Sequence, residues 1–399
     1  MYARIDQMTP FFPPENEELT GLALSLIEQS AHLGGVLHPV TSRSIADFLR
    51  LTNSYYSNLI EDHNTHPVDI ERAMDRDYSD EPAKRALQME GLAHVEVQEK
   101  IEQRLTNESI EVCHPDFISW IHRVFYEKLP DTLRIINDAQ ERELDMAVPG
   151  QFRGRDAQVG NHVAPSHELI RSFLDKFHEL YEVNQFKNAV ARILAAAASH
   201  HRLVWIHPFL DGNGRVARLF TDAYLQRMGL RGAGLWTVSR GLARHKEKYM
   251  TMLANADALR RGDLDGRGNL SQAGFVQFCR FFLETCLDQT RFMGRLLELD
   301  GLMDRIKGYI VLRSRKMIPG RPPLKVEAGH LLQEALLRGK FARGEAPRIT
   351  GLAERTARML VSQMVQERLL VSDTPKGPLK LGIPAHTAEY FFQNLTPRN

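Results

Sequence analysis

The sequence predicts an all-α protein interrupted by short hairpins, and three observations carry that expectation. Apolar residues recur at helical spacing in most segments, strand signals are confined to two glycine-rich or proline-rich stretches, and the helical runs end at recognisable breakers. The chain has 399 residues, 43% hydrophobic and 25% charged, a composition that fills two or three compact units. Leu22, Leu24, Leu26 and Ile27 mark the first helix, and Ile45, Phe48 and Leu49 a second that begins near Thr41 and runs to about residue 62. A polar, acidic break follows from Asp75 to Pro82. Ile118, Ile121, Val124 and Phe125, then Leu169, Ile170, Phe173, Phe177 and Leu180, mark further helices. Between them GQFRGRDAQVGNHV, residues 150–163, reads as a small hairpin. A helix from Phe186 to about Leu203 stops at a proline, and another restarts with Val216, Leu219, Phe220, Ala223 and Tyr224 inward. Residues 253–271 read as an interhelical loop, with Ser271 the cap of a helix from Gln272 to about Thr285. Its aspartates miss calcium-loop spacing, because counting from Asp263 puts the glycine at position 4 and Gly274 at position 12.

The domain expectation is 1–114 for a helical N-terminal region, 115–300 for a core, and 301–399 for a C-terminal module beyond the Pro- and Gly-rich stretch 318–325. The longest aliphatic run, Ile193 to Ala198, is six residues, against about 20 for a membrane span. Neither a membrane nor an export segment is expected, and the address is cytoplasmic. Cys113, Cys279 and Cys286 match no disulfide scaffold or zinc pattern. Net charge is only +1, yet Arg305 to Lys380 holds 16 Lys and Arg against 6 Asp and Glu. That basic end suits an anionic partner.

The most informative segment is HPFLDGNGRVAR, residues 207–218. A glycine-rich loop that opens a helix is an anion site: its N–H groups approach a phosphate closely, and the helix start adds about half a positive charge. Arg215 and Arg218, three apart, share a helix face on which guanidiniums can clamp phosphate oxygens. Asp211 offers a hard oxygen suited to Mg²⁺ held jointly with phosphates. His207 can accept a proton from an attacking hydroxyl. His200 and His201 read as core or supporting groups.

The string resembles the HxFx(D/E)GNGRxxR signature of the Fic family at every specified position, and the likeness extends over roughly residues 115–290. The resemblance implies a Fic helical core with a small β-hairpin flap, and transfer of AMP from ATP, with Mg²⁺, to a Ser, Thr or Tyr hydroxyl of a target protein or of the chain itself. It implies His207 as general base, Asp211 as metal ligand, Gly212, Asn213 and Gly214 as the anion hole, and Arg215 and Arg218 as phosphate ligands. Phe209 would pack inward and hold the loop. The hairpin, with Gln151, Phe152, Arg153 and Gly154, corresponds to the flap that docks the target by strand addition. Transfer of UMP or phosphocholine, and removal of AMP by the same site, remain open alternatives, as does the oligomeric state.

Upstream, Ser57 and Glu61 share a helix face. They resemble the family's inhibitory motif (S/T)xxxE(G/N), which implies that Glu61 pairs with Arg218 and blocks productive placement of the γ-phosphate. Asp62 departs from the usual Gly or Asn. From Val326 the pattern is a helix to Leu337, a short helix or turn around 341–349, a helix within 351–370 striped by Leu352, Thr356, Met359, Leu360, Met364 and Leu369, then two strands within 369–384. That order is the order of a winged helix. It makes DNA a candidate partner through Arg355, Arg358 and Lys376, and a DNA-binding regulator with a nucleotide-sensing domain is the alternative of a different class.

Overall fold

The computed structural model describes residues 2–137 and 143–396. Its elements in chain order are α1 (Glu17–Leu33), α2 (Pro39–Ile60), α3 (Pro67–Met74), α4 (Pro82–Asn107), α5 (Pro115–Tyr126), β1 (Ile135–Asn137), β2 (Glu143–Met146), β3 (Gln158–Val159) and β4 (His162–Val163). There follow α6 (Ile170–Tyr181), α7 (Ala189–Ile206), α8 (Asn213–Arg227), α9 (Val238–Arg244), α10 (Lys246–Asp257), α11 (Gln272–Leu297) and α12 (Leu299–Ser314). The C-terminal part holds α13 (Ala328–Arg338), β5 (Lys340–Phe341), α14 (Ala346–Thr350), α15 (Glu354–Gln366), β6 (Leu370–Val371), β7 (Leu379–Leu381) and α16 (Ala388–Phe391). The protein is mostly helical, as the periodicity predicts.

Three of these helices start the same way. His38-Pro39, His66-Pro67 and His114-Pro115 place a histidine at the N-cap and a proline in the first turn, where its missing N–H costs nothing. In α2 and α5 the cap's Nδ1 accepts from the second backbone N–H beyond it, both at 3.2 Å. This is why α2 begins at Pro39, two residues ahead of the expected Thr41. Ser271 caps α11 as expected, its hydroxyl accepting from the N–H of Gly274 at 3.0 Å. That helix runs on to Leu297, well past Thr285, because Leu287, Met293, Leu296 and Leu297 continue its buried face.

Helix α7 lies at the centre, packed by α1, α6, α8, α10 and α11. Its Ala195 to Ala198 run lets neighbours approach closely, and all four alanines are buried. The three cysteines are buried and unpaired. Helix α2 is a second hub, touching α4, α8 and α9 on one side and α13 and β7 on the other. Phe48 stacks on Phe392 with centroids 5.6 Å apart, and Tyr56 donates to the carbonyl of Leu395 at 2.9 Å.

Strands β5, β7 and β6 form an antiparallel sheet in that order, with Lys340 opposite Lys380 and Leu370 opposite Leu381. The reading of 341–349 as helix or turn omitted β5, whose two residues carry too little pattern to read. Met359 is 65% exposed and does not belong to the stripe assigned to it. Ala357, Leu360, Val361 and Met364 form the buried face of α15, which turns Met359 outward.

Phe48 and Phe392 are each almost wholly buried, so replacing either by alanine should lower the unfolding free energy by about 3 kcal/mol. The double replacement should cost less than the sum, because the two rings share one contact. Denaturant melts of the four proteins measure both effects.

Candidate functional site

Helix α7 ends at His207, which takes a left-handed conformation with φ 52° and ψ 61°. The chain then passes through Pro208 to Asp211, and Gly212, at φ 77°, opens α8. A Cβ on Gly212 would lie 2.4 Å from the hydroxyl of Tyr126, so only glycine fits there. Asn213 closes the loop on itself: its Oδ1 accepts from the N–H of Phe209 and its Nδ2 donates to the carbonyl of Phe209, both at 2.9 Å. Its side chain is thereby spent on the backbone, which leaves only its main-chain N–H for an anion at the helix start. Phe209 is fully buried, its ring stacked 4.0 Å from that of His122, which stacks in turn 4.0 Å from Tyr126.

Burial, with the nearby charges of His162 and Arg153, pushes the imidazole of His207 down to about 4. The ring is therefore neutral at pH 7, the state a proton acceptor needs. Asp211 accepts at Oδ2 from the Tyr126 hydroxyl at 2.5 Å and from Arg215 Nη2 at 2.8 Å. Burial opposes its ionisation, yet Arg215 and Tyr126 hold its carboxyl below the usual range. The Asp211 side chain is still 43% exposed, so an incoming cation can reach it. Among the described residues no group of three or more His, Cys, Asp and Glu could hold a metal. One accessible carboxylate suits Mg²⁺ that shares its coordination with phosphates.

The two arginines are both buried and both already engaged. Arg218 donates from Nε to the hydroxyl of Ser57 at 2.9 Å, and from Nη2 to the Ser57 carbonyl at 2.8 Å and to Glu61 Oε1 at 2.6 Å. Burial disfavours the Glu61 carboxylate, but Arg218 and Arg215 keep its carboxyl below the ordinary range. Glu61 Oε1 also lies 2.6 Å from where a Cβ on Gly214 would stand, over the first turn of α8. The carboxylate thus sits at the helix start, where a phosphate would bind. Ser57, Glu61, Gly214 and Arg218 come together across more than 150 residues of sequence.

Arg215 pairs with Glu90 on α4, a residue the sequence reading passed over. Glu90 is fully buried, and its other oxygen meets His63 Nδ1 at 2.7 Å. A signal was present: Ala86, Glu90, Ala93 and Val97 lie on one buried stripe of α4, and a carboxylate on such a stripe needs a cation. Arg215 Nε is buried without an acceptor among the described residues. Asp257 on α10 was also missed; it joins His201 and His162, each at 3.2 Å.

The hairpin is shorter than expected. Only Gln158–Val159 and His162–Val163 pair within 150–163, so Gln151, Phe152, Arg153 and Gly154 lie outside its strands. Arg153 is 2% exposed, neither solvated nor presented to a partner, because its guanidinium is drawn inward by backbone carbonyls. Gln151 and Gly154 are exposed, and Phe152 packs 5.5 Å from Phe209. A second hairpin, β1–β2, was not anticipated.

Comparison with known proteins bears on this part of the chain. Residues 113–225 match the family model described as Fic/DOC family. Protein adenylyltransferase Fic of Drosophila grimshawi is 31% identical over 139 residues, covering 34% of this chain and 29% of that one. The protein of the same name from Nematostella vectensis is 32% identical over 176 residues, 44% and 37% of the two chains. The chain thus spans about a third of the length of these curated relatives. In fold, a Fic family protein from Desulfovibrio desulfuricans G20 matches at a TM-score of 0.55 and 16% identity, covering 92% of this chain and 98% of that one. A Fic domain containing signaling protein from Bacteroides thetaiotaomicron VPI-5482 matches at 0.51 and 18%, covering 68% and 95%. The matched segment runs from α5 into α8 and so includes the loop, Arg215 and Arg218, while Glu61 and Glu90 come from the helices before it.

The hydrogen bond to Glu90 raises the pKa of His63, outweighing its partial burial. A raised folded-state pKa stabilises fully below the unfolded value of about 6.5 and is lost as pH rises through the folded value. The stability difference between the parent and His63→Ala should therefore be largest at pH 6 and shrink by pH 9, as denaturant midpoints at the two pH values will show.

Proposed function

We propose that this chain is a protein adenylyltransferase, held inactive in cis by Glu61. The observation that carries the reading is the grip of Ser57 and Glu61 on Arg218 at the start of α8, inside a Fic/DOC domain whose loop also presents His207 and Asp211. His207 takes the proton of a Ser, Thr or Tyr hydroxyl on a target protein, or on the chain itself, as that oxygen attacks the α-phosphorus of ATP. The bond from the α-phosphorus to its bridging oxygen breaks, pyrophosphate departs, and AMP remains on the target. The backbone N–H groups of Gly212, Asn213 and Gly214, with Arg215 and Arg218, hold the phosphates, which is most of what such a transfer asks of a protein. Mg²⁺ held at Asp211 would neutralise charge on the α- and β-phosphates. The hairpin β3–β4 offers its edge to a target segment.

Three regions serve this reading: 1–114 supplies the inhibitory helix, 115–300 the catalytic core, and 301–399 a winged-helix module. In that last module the order helix, strand, two helices and two strands, and the exposure of Arg355, Arg358 and Lys376, favour contact with duplex DNA. Among the described residues no helix is long and apolar enough to cross a membrane.

Incubation with α-labelled and γ-labelled ATP tests the chemistry. Label retained from the α-position alone is expected; label retained from the γ-position refutes adenylylation in favour of phosphate transfer. Labelled UTP and CDP-choline test the other donors. Glu61→Gly should raise modification by about tenfold or more, since each 1.4 kcal/mol of lost inhibition is about tenfold in active population. His207→Ala in that background should lower the rate by about 10² to 10⁴ while ATP binding persists. Arg355→Ala with Arg358→Ala should flatten the salt dependence of any DNA binding.

A further inference from the structure

Of the four His-Pro pairs in the chain, three begin helices and one ends a helix. His38, His66 and His114 hold the extended backbone that a following proline favours. His207 does not: it is left-handed, at φ 52° and ψ 61°, directly before Pro208. A side chain bearing a Cβ resists that conformation, so it persists only where its surroundings over-determine it.

The over-determining contact comes from Arg153. Its Nε donates to the carbonyl oxygen of His207 at 2.8 Å, and its own backbone N–H donates to the carbonyl of Pro208 at 2.9 Å. Its remaining donors reach both flanks of the β3–β4 hairpin, Nη1 to the Arg155 carbonyl at 2.9 Å and Nη2 to the Pro165 carbonyl at 2.5 Å. One planar guanidinium therefore spans three carbonyls in fixed directions, which the single ammonium of a lysine cannot reproduce.

We infer that Arg153 is a positioning residue that locks His207 in its left-handed conformation and binds the two ends of the hairpin to the catalytic loop. The base and the strand edge then move as one body, so that a target added to the hairpin arrives in register with the imidazole. The inference rests on the reading of His207 as general base and of β3–β4 as the docking edge. The charge of Arg153 has a second effect. The charged and titratable groups acting on the His207 ring are Arg153, His162 on β4, whose ring lies 6.5 Å away, and Asp211 in the loop. Burial, His162 and Arg153 favour the neutral imidazole, whereas Asp211 opposes them.

Geometry and charge are separable by substitution in the Glu61→Gly background. Arg153→Lys keeps the charge and loses the fork; Arg153→Gln loses both. Both variants should lose about 10²-fold in kcat, the scale expected from a small misplacement of a reacting group, with KM for ATP within about threefold. The His207 imidazole, followed by NMR titration without nucleotide, should titrate in Arg153→Lys where it does in the parent and shift upward in Arg153→Gln. Parental kcat and an unshifted imidazole in Arg153→Gln would overturn the inference. So would a joint loss of kcat, ATP affinity and thermal midpoint in both variants, which marks a merely structural residue. If His207→Ala retains transfer in the same background, the reading of the reaction fails, and the imidazole titration still decides whether Arg153 sets the state of His207.

Discussion

Two guanidinium groups are buried side by side on the first turns of α8, and neither can stay there unpaired. Arg215 and Arg218 are 4% and 1% exposed, and an uncompensated charge at such depth costs several kcal/mol. Both also lie at a helix start, which repels cations. The compensation is imported: Glu61 and the Ser57 carbonyl come from α2, Glu90 from α4, and only Asp211 from the loop itself. The N-terminal helices are thus an electrostatic part of the core. In the proposed reading, the same carboxylates that stabilise the folded chain occupy the donors a nucleotide would use, so stability and readiness oppose each other there.

What could be read in the sequence follows from how local the chemistry is. The loop from His207 to Arg218 is legible because helix stop, glycine turn and helix restart lie within twelve residues, and spacing alone puts both arginines on one face. The partner of Arg218 was legible through the resemblance of the Ser57 to Glu61 segment to a known pattern. Glu90, Tyr126 and Asp257 were not, since each meets its partner only after helices far apart in the chain have packed. Arg153, assigned to the docking flap, turns inward for a related reason: its role appears only after three backbone carbonyls are brought around it. Strands β1, β2 and β5 escaped because two to four residues carry too little period, whereas the long helices were legible and differed mainly at their ends.

Helix α2 lies between two bodies, and in the autoinhibited reading that placement bears on how Arg218 is released. Along its length it is tied by Thr41 to the Leu336 carbonyl at 2.8 Å, by the Phe48–Phe392 stack, and by Tyr56 to the Leu395 carbonyl. Asn53 reaches across to Gln98 at 2.9 Å and Asp222 at 2.6 Å, and accepts from Thr237 at 2.5 Å. Displacing the helix as a rigid unit would break all of these together. The segment 391–395 and α13 therefore act as a backstop that holds α2 against α8 and α9.

Release confined to the last turn requires far less. Glu61 is the C-cap of α2 and a third exposed, whereas Ser57 one turn earlier is fully buried. Rotating the Glu61 side chain breaks a single ion pair and leaves the two Ser57 contacts to Arg218 in place. Water reaches the pair from the exposed side, so the cost lies below that of a fully buried bridge. Removing one carboxylate still leaves a buried guanidinium short of an anion, and a phosphate at the start of α8 supplies one at the place Glu61 vacates. In the autoinhibited reading the brake is accordingly a competition between two anions for one helix terminus, with Ser57 keeping Arg218 aimed at whichever of them is bound.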